Sequence, residues 1–203
     1  MKHDAPDDRA DRAARALHVD ADALDRLRRF ERLLIERAVP RGLVARSDRD
    51  RVRERHVLDC LRAVAAVEPS DRTAYDMGSG AGLPGLVVAL ARPRLHVRLV
   101  EPRSARAAFL ELAVEALTVP NAEVVAGRIE DQSEPADLCF ARAFAPLGRC
   151  WDLARSRLRR GGRLVYFAGA SSETIGDLPE ARAVRVVEDP VLESPGPLVI
   201  MTR

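Results

Sequence analysis

At 203 residues, 47% hydrophobic and 32% charged, the chain has enough material for one domain with a substantial core and too little for a second full one. No run of about 18 apolar residues exists to span a bilayer, and Met1 to Asp8 lacks the apolar stretch of a secretory signal, so a soluble, cytoplasmic protein without membrane contact is expected. A formal net charge of +2 does not by itself announce a nucleic-acid binder, because binding patches are local; Cys60, Cys139 and Cys150 contain no C-x-x-C pair, and the four histidines are scattered, so buried reduced thiols and no metal site are expected.

Residues 1–22 read as a polar, alanine-rich tail or a weak first helix. Over 23–68 two amphipathic helices are predicted, forming an N-terminal helical cap. Leu24, Leu27, Phe30, Leu33, Leu34 and Ile35 recur at helical spacing up to the break at Pro40-Arg41-Gly42, and Val52, His56, Val57, Leu61, Val64 and Val67 recur again beyond it. Arginines outnumber carboxylates in this segment. Every cation after Lys2 is arginine, which fits phosphate recognition and equally fits a solvated surface.

Residues 69–203 change texture and read as a single α/β domain. Short apolar runs at 74–77, 97–100, 124–126, 138–141, 163–167, 184–187 and 198–202 alternate with helical stretches at 84–91, 104–117 and 147–158, which predicts βαβ units and a largely parallel sheet. Asp189-Pro190 and Pro195-Gly196-Pro197 leave no room for a crossover helix between the last two strands, so these should pair as an antiparallel hairpin. The fold class expected is a Rossmann-like class I methyltransferase with a seven-stranded, mostly parallel sheet. No helix shows a spare apolar face, so a monomer is expected.

The segment Asp76-Met77-Gly78-Ser79-Gly80-Ala81-Gly82-Leu83-Pro84-Gly85 leaves the first predicted strand as a turn whose glycines let backbone amides approach a nucleotide-like ligand. Gly80-x-Gly82-x-x-Gly85 alone also matches a dinucleotide fingerprint. Asp76, just ahead of the glycines, would repel a pyrophosphate but suits the ammonium of a methionine moiety, directly or through water. Glu101, closing the second strand, is placed to accept ribose hydroxyls. Together these favour S-adenosyl-L-methionine.

The turn after the fourth strand, Ala141 to Pro146, lacks the Asp/Asn-Pro-Pro-aromatic signature of amine methylation, and neither Cys139 nor Cys150 follows a proline as a cytosine-C5 nucleophile would. A ring nitrogen such as guanine N7 needs no base, because no proton leaves, and its methylation rests on positioning and desolvation. Arg142, at the end of the fourth strand, would bind the methionine carboxylate or orient the guanine. It is the candidate catalytic residue. His56 and Asp59, three apart on one helical face, either face the substrate or tie the N-terminal helices to the sheet.

Arg55-His56-Val57-Leu58-Asp59-Cys60-Leu61, the loop from Asp76 to Gly85, Leu99-Val100-Glu101, Phe109-Leu110, Gly127-Arg128-Ile129-Glu130 and Ala141-Arg142-Ala143-Phe144-Ala145 together resemble, in order and spacing, the bacterial small-subunit rRNA guanine-N7 methyltransferases, also called glucose-inhibited division protein B. The resemblance runs from about Leu24 to the end of the chain. It implies methyl transfer from S-adenosylmethionine to a guanine N7 of 16S rRNA, with ribosomal RNA or the small ribosomal subunit as partner. By the same resemblance Gly78 and Leu83 lie against methionine and ribose, Ile129 and Glu130 frame the adenine, and Arg142 reaches the cofactor. The chain departs from the family pattern at Cys60, where serine is usual, and at Pro102, Ala105 and Ala168. A divergent paralogue with another acceptor, and a non-catalytic RNA or cofactor binder, stand as the alternatives.

Overall fold

The alternating apolar runs form β1 (Thr73–Met77), β2 (His96–Val100), β3 (Ala122–Val125), β4 (Ala136–Arg142), β5 (Leu158–Phe167), β6 (Ala183–Val187) and β7 (Leu198–Thr202) of one sheet, seen in a computed structural model that describes residues 16–169, 181–187 and 196–203. Strand order is β3-β2-β1-β4-β5-β7-β6. The first five strands pair in parallel, and β7 lies antiparallel between β5 and β6. The expected antiparallel closure of the sheet is present. The connection at 188–195 lies outside the described residues, as do most of the residues read as a polar tail.

The helices are α1 (Ala21–Leu33), α2 (Gly85–Ala91), α3 (Ser104–Leu117) and α4 (Leu147–Arg155). Asp20 caps α1, its carboxylate accepting from Ala23 N at 2.7 Å, and Ala23, Leu27 and Phe30 fall on one buried stripe. Strand periodicity splits the core in two. Ala74, Val97, Leu99, Leu138 and Phe140 pack with α1, α2 and α3, whereas Tyr75, Met77, Val100, Cys139 and Ala141 face α4 and the fully buried Trp151. Each fully buried Leu or Phe contributes about 1.5–3 kcal/mol relative to exposure, so these two layers fix which face of the sheet each strand residue takes. Among the described residues no helix is long and apolar enough to cross a membrane.

Three boundaries differ from expectation. The second N-terminal segment is not one α-helix. It runs as a 3-10 stretch (Arg46–Arg51), a π-helical stretch (Arg53–Leu58), a single α-turn (Asp59–Leu61) and a second 3-10 stretch (Arg62–Ala66). At its widened turn the Arg55 carbonyl accepts from Arg142 Nη2 at 3.1 Å, the kind of side-chain engagement that accompanies departures from regular helix. The predicted helix at 147–158 stops at Arg155, because Leu158 already pairs with Ala136 to open β5. That strand begins five residues ahead of its apolar run, since Gly161 and Gly162 gave no strand signal yet exchange backbone hydrogen bonds with Arg203.

Candidate active site

β1 ends at Met77, and the chain turns at once: Gly78 N and Ser79 N both donate to Val100 O of β2, at 2.9 and 3.0 Å. Gly82 N and Leu83 N then fold back onto Ser79 O at 2.7 and 3.2 Å, with Leu83 buried. Gly78 has φ +72°, and a Cβ placed on it would lie 2.5 Å from Cδ2 of Phe144. The glycine is therefore required by a protein ring as well as by any ligand. At Gly80, φ +57°, an added Cβ would make only ordinary van der Waals contacts, with Gly78 O at 3.8 Å and Arg106 Nη1 at 3.9 Å.

Two buried carboxylates brace the turn. Asp76, 1% exposed, accepts through Oδ2 from Ser79 Oγ at 2.6 Å and Gly85 N at 3.0 Å. Burial pushes its pKa up to about 6, with Glu101 adding to the rise and the Ser79 and Gly85 hydrogen bonds opposing it. Glu101, 2% exposed, accepts from Gly80 N through Oε2 and from Arg103 N through Oε1, both at 3.0 Å. Each of its oxygens keeps a second lone pair, the capacity that a vicinal diol would use.

Ile129 and Glu130 sit on a 3-10 turn (Ile129–Asp131) after β3, Ile129 buried and Glu130 exposed and paired with Arg149 at 3.0 Å. Sequence reasoning missed what holds that turn. Arg157 donates from Nε to Ile129 O at 2.6 Å and from Nη2 to Glu130 O at 2.7 Å, while Nη1 grips Leu153 O at the end of α4. One guanidinium thus sets the turn's position against α4.

The structure brings Arg142, His56 and Asp59 together. Arg142 Nη2 donates to His56 Nδ1 at 3.1 Å and Nε to Asp59 Oδ2 at 3.3 Å, besides the contact to Arg55 O. His56 Nε2 reaches the buried Asp48 at 3.0 Å. An imidazole that accepts at Nδ1 must donate at Nε2, which assigns the neutral Nε2–H tautomer. Burial and then the Arg142 charge hold the His56 pKa below its ordinary value, against the Asp48 contact, so this pair is a hydrogen bond of a neutral ring and not an ion pair. For Arg142, burial works against the charge and is outweighed by the carboxylates of Asp59 and Asp48, so the guanidinium stays cationic. Arg62 extends the cluster, donating to Asp59 Oδ1 and to Gly196 O, both at 2.9 Å. Asp48 was not among the predicted site residues; an acidic residue in a run of arginines carried no signal.

Residues 23–188 match the family model described as rRNA small subunit methyltransferase G. The chain belongs to this family. A ribosomal RNA small subunit methyltransferase G of Thermobifida fusca (strain YX) is 39% identical over 183 residues, 89% of this chain and 73% of that one. The same enzyme of Mycolicibacterium gilvum (strain PYR-GCK) is 40% identical over 159 residues, 76% of this chain and 69% of the relative. Among solved structures, a methyltransferase of Aquifex aeolicus described as SAM-dependent superposes with TM-score 0.58 at 15% identity, over 80% of this chain and 97% of that one, and shows the shared fold. A putative S-adenosyl-L-methionine-dependent methyltransferase of Methanococcus maripaludis gives the same TM-score at 12% identity, over 77% of this chain and 91% of that one.

Of the departures from the methyltransferase G pattern, Cys60 is fully buried and burial pushes its thiol pKa far up, so this change lies in the core and does not face RNA. Cys139 and Cys150 are buried as well, and burial pushes the Cys139 thiol up to about 12, away from a nucleophilic thiolate. Pro102 and Ala105 are exposed beside Arg106, whose Nη1 lies 4.0 Å from Glu101.

Proposed function

We propose that this chain transfers the methyl group of S-adenosylmethionine to N7 of a guanine in small-subunit (16S) ribosomal RNA. The family match across 23–188 carries the reading, because it spans both the glycine loop and the Arg142 cluster. The residues present fit the methyl donor. Glu101 has lone pairs for a ribose diol, Gly80 is free of close contacts, Ile129 offers an apolar contact for a purine, and Asp76 supplies negative charge near an ammonium. Gly78, Gly82 and Leu83 set the loop's path, and Glu130 lies at the rim of the adenine site. When bound, S-adenosylmethionine supplies an electrophilic methyl group on a sulfonium.

The chain's own residues need only position the acceptor and exclude water, since N7 loses no proton. Arg142 suits that work better than acid or base catalysis. Its Nε and Nη2 are spent on Asp59, His56 and Arg55, while Nη1 retains donors for guanine O6 or for the methionine carboxylate. His56 and Asp59 then act by aiming Arg142. The reading places the enzyme in the cytoplasm with ribosomal RNA or the small subunit as partner. It acts there as a monomer: Leu112, Val184 and Val186 are the exposed large apolar residues among those described.

Radiolabelled methyl transfer onto small subunits and naked 16S rRNA, both from a strain lacking its own guanine-N7 enzyme, tests the reading. Label recovered as 7-methylguanosine at one site is the expected result. Label in another nucleoside, or none while the methyl donor still binds, overturns it.

A further inference from the structure

We infer that Phe144 is the stacking platform for the acceptor base, an inference that rests on the reading of an RNA purine as substrate. The chain has one tryptophan, two tyrosines and five phenylalanines, and every one of these rings is buried except that of Phe144. The single ring left half-open stands at the carboxyl edge of the sheet, two residues beyond Arg142 and directly against Gly78 of the glycine loop. That is where a base must come to meet a methyl donor held by this loop.

The backbone is built to put the ring there. Ala143 has φ +51°, a left-handed conformation that non-glycine residues rarely adopt, and it turns the chain back so that Phe144 lies over Gly78. Beyond it, Ala145 O accepts from Cys150 Sγ at 3.1 Å and Pro146 O from Cys150 N at 3.0 Å, which ties the turn to α4. Part of the ring packs with the apolar layer beneath α4, and the rest is open to solvent. A base laid on that open part would have its flat face covered by Phe144 and its polar edge within the range of the Nη1 donors of Arg142. Bases stack on aromatic side chains without sequence preference, and losing such a contact weakens binding about tenfold or more. Phe144 would supply the affinity and Arg142 the orientation.

The test compares wild type with Phe144→Leu, Phe144→Met and Phe144→Tyr, each first checked for an unchanged melting temperature. Steady-state methylation of 16S rRNA is measured alongside direct binding of a labelled 16S fragment. The expected result is an RNA KM and Kd raised about tenfold in the leucine and methionine variants, restored by tyrosine, with the KM for S-adenosylmethionine within about twofold throughout. If the two aliphatic variants raise the KM for S-adenosylmethionine and leave RNA binding alone, the ring is only a prop for the glycine loop and the inference falls. It falls also if RNA Kd does not change. Should wild type bind the fragment yet transfer no methyl, the functional reading fails by itself, and the Kd comparison still decides the role of Phe144.

Discussion

The loop from Asp76 to Gly85 is shaped by backbone amides closing on two buried carboxylates, whereas the run from Arg46 to Ala66 is fastened to the sheet by guanidinium and imidazole contacts. The first arrangement is tight at two of its glycines: Cβ atoms at Gly78 or Gly85 would meet neighbours at 2.5 Å. The second is an exchange of hydrogen bonds among long side chains. On the proposed reading, the methyl donor meets the backbone-built part and the RNA meets the part built from side chains.

This contrast breaks if the loop proves forgiving. Gly85→Ala sets a Cβ 2.5 Å from Asp76 Oδ2 and 2.6 Å from Leu99 Cδ2, and it should lower stability by about 3 kcal/mol in urea denaturation, the upper range for overpacking. An unchanged midpoint would mean the loop has slack. Asp76 gives a second handle. Its pKa is about 6 in the folded chain against 3.8 for the free side chain, so the folded state holds the proton more tightly. Its contribution is largest below about pH 4, is lost as pH rises to about 6, and is level above that; the span is about 3 kcal/mol. Asp137 and Glu123, whose pKa values are lowered, act in the opposite sense at lower pH, so the measurement is the difference in urea midpoint between wild type and Asp76→Asn from pH 4 to 7.

The side-chain-built region should yield smaller effects. His56→Asn keeps an acceptor where Nδ1 meets Arg142, and His56→Gln keeps only the reach toward Asp48. If His56 acts by holding Arg142, methylation by the glutamine variant falls about tenfold and by the asparagine variant no more than about threefold, near the worth of one net hydrogen bond. Equal losses would assign His56 to the Asp48 contact instead. Smallest of all, Arg157→Lys replaces a forked donor by a point charge, and should raise the KM for S-adenosylmethionine about threefold at unchanged kcat.

Legibility in the sequence followed the same division. Short apolar runs around Val97, Leu138 and Leu198 marked the strands, and the glycine spacing after Tyr75 marked the loop, because both signals are local. Arg157, Asp48 and the partner of Gly78 were invisible, since each acts through a contact across the fold that leaves no periodic trace. Gly78 is instructive: its conformation was readable, but the ring that requires it, Phe144, lies 66 residues away in the chain. The irregular helix over Arg46–Ala66 was misread as regular because its apolar spacing is helical; its π-helical part is where the Arg55 carbonyl accepts from the sheet-borne Arg142.

Arg62 donates to Gly196 O across 134 positions, and β7, the last described strand in chain order, fills an interior place between β5 and β6. On a translating ribosome the N-terminal run therefore waits for its last fastening, and the sheet cannot close until residues 198–202 have left the exit tunnel. Until then β5 presents an unpaired edge. Folding of the sheet is in that sense committed only once β7 is available.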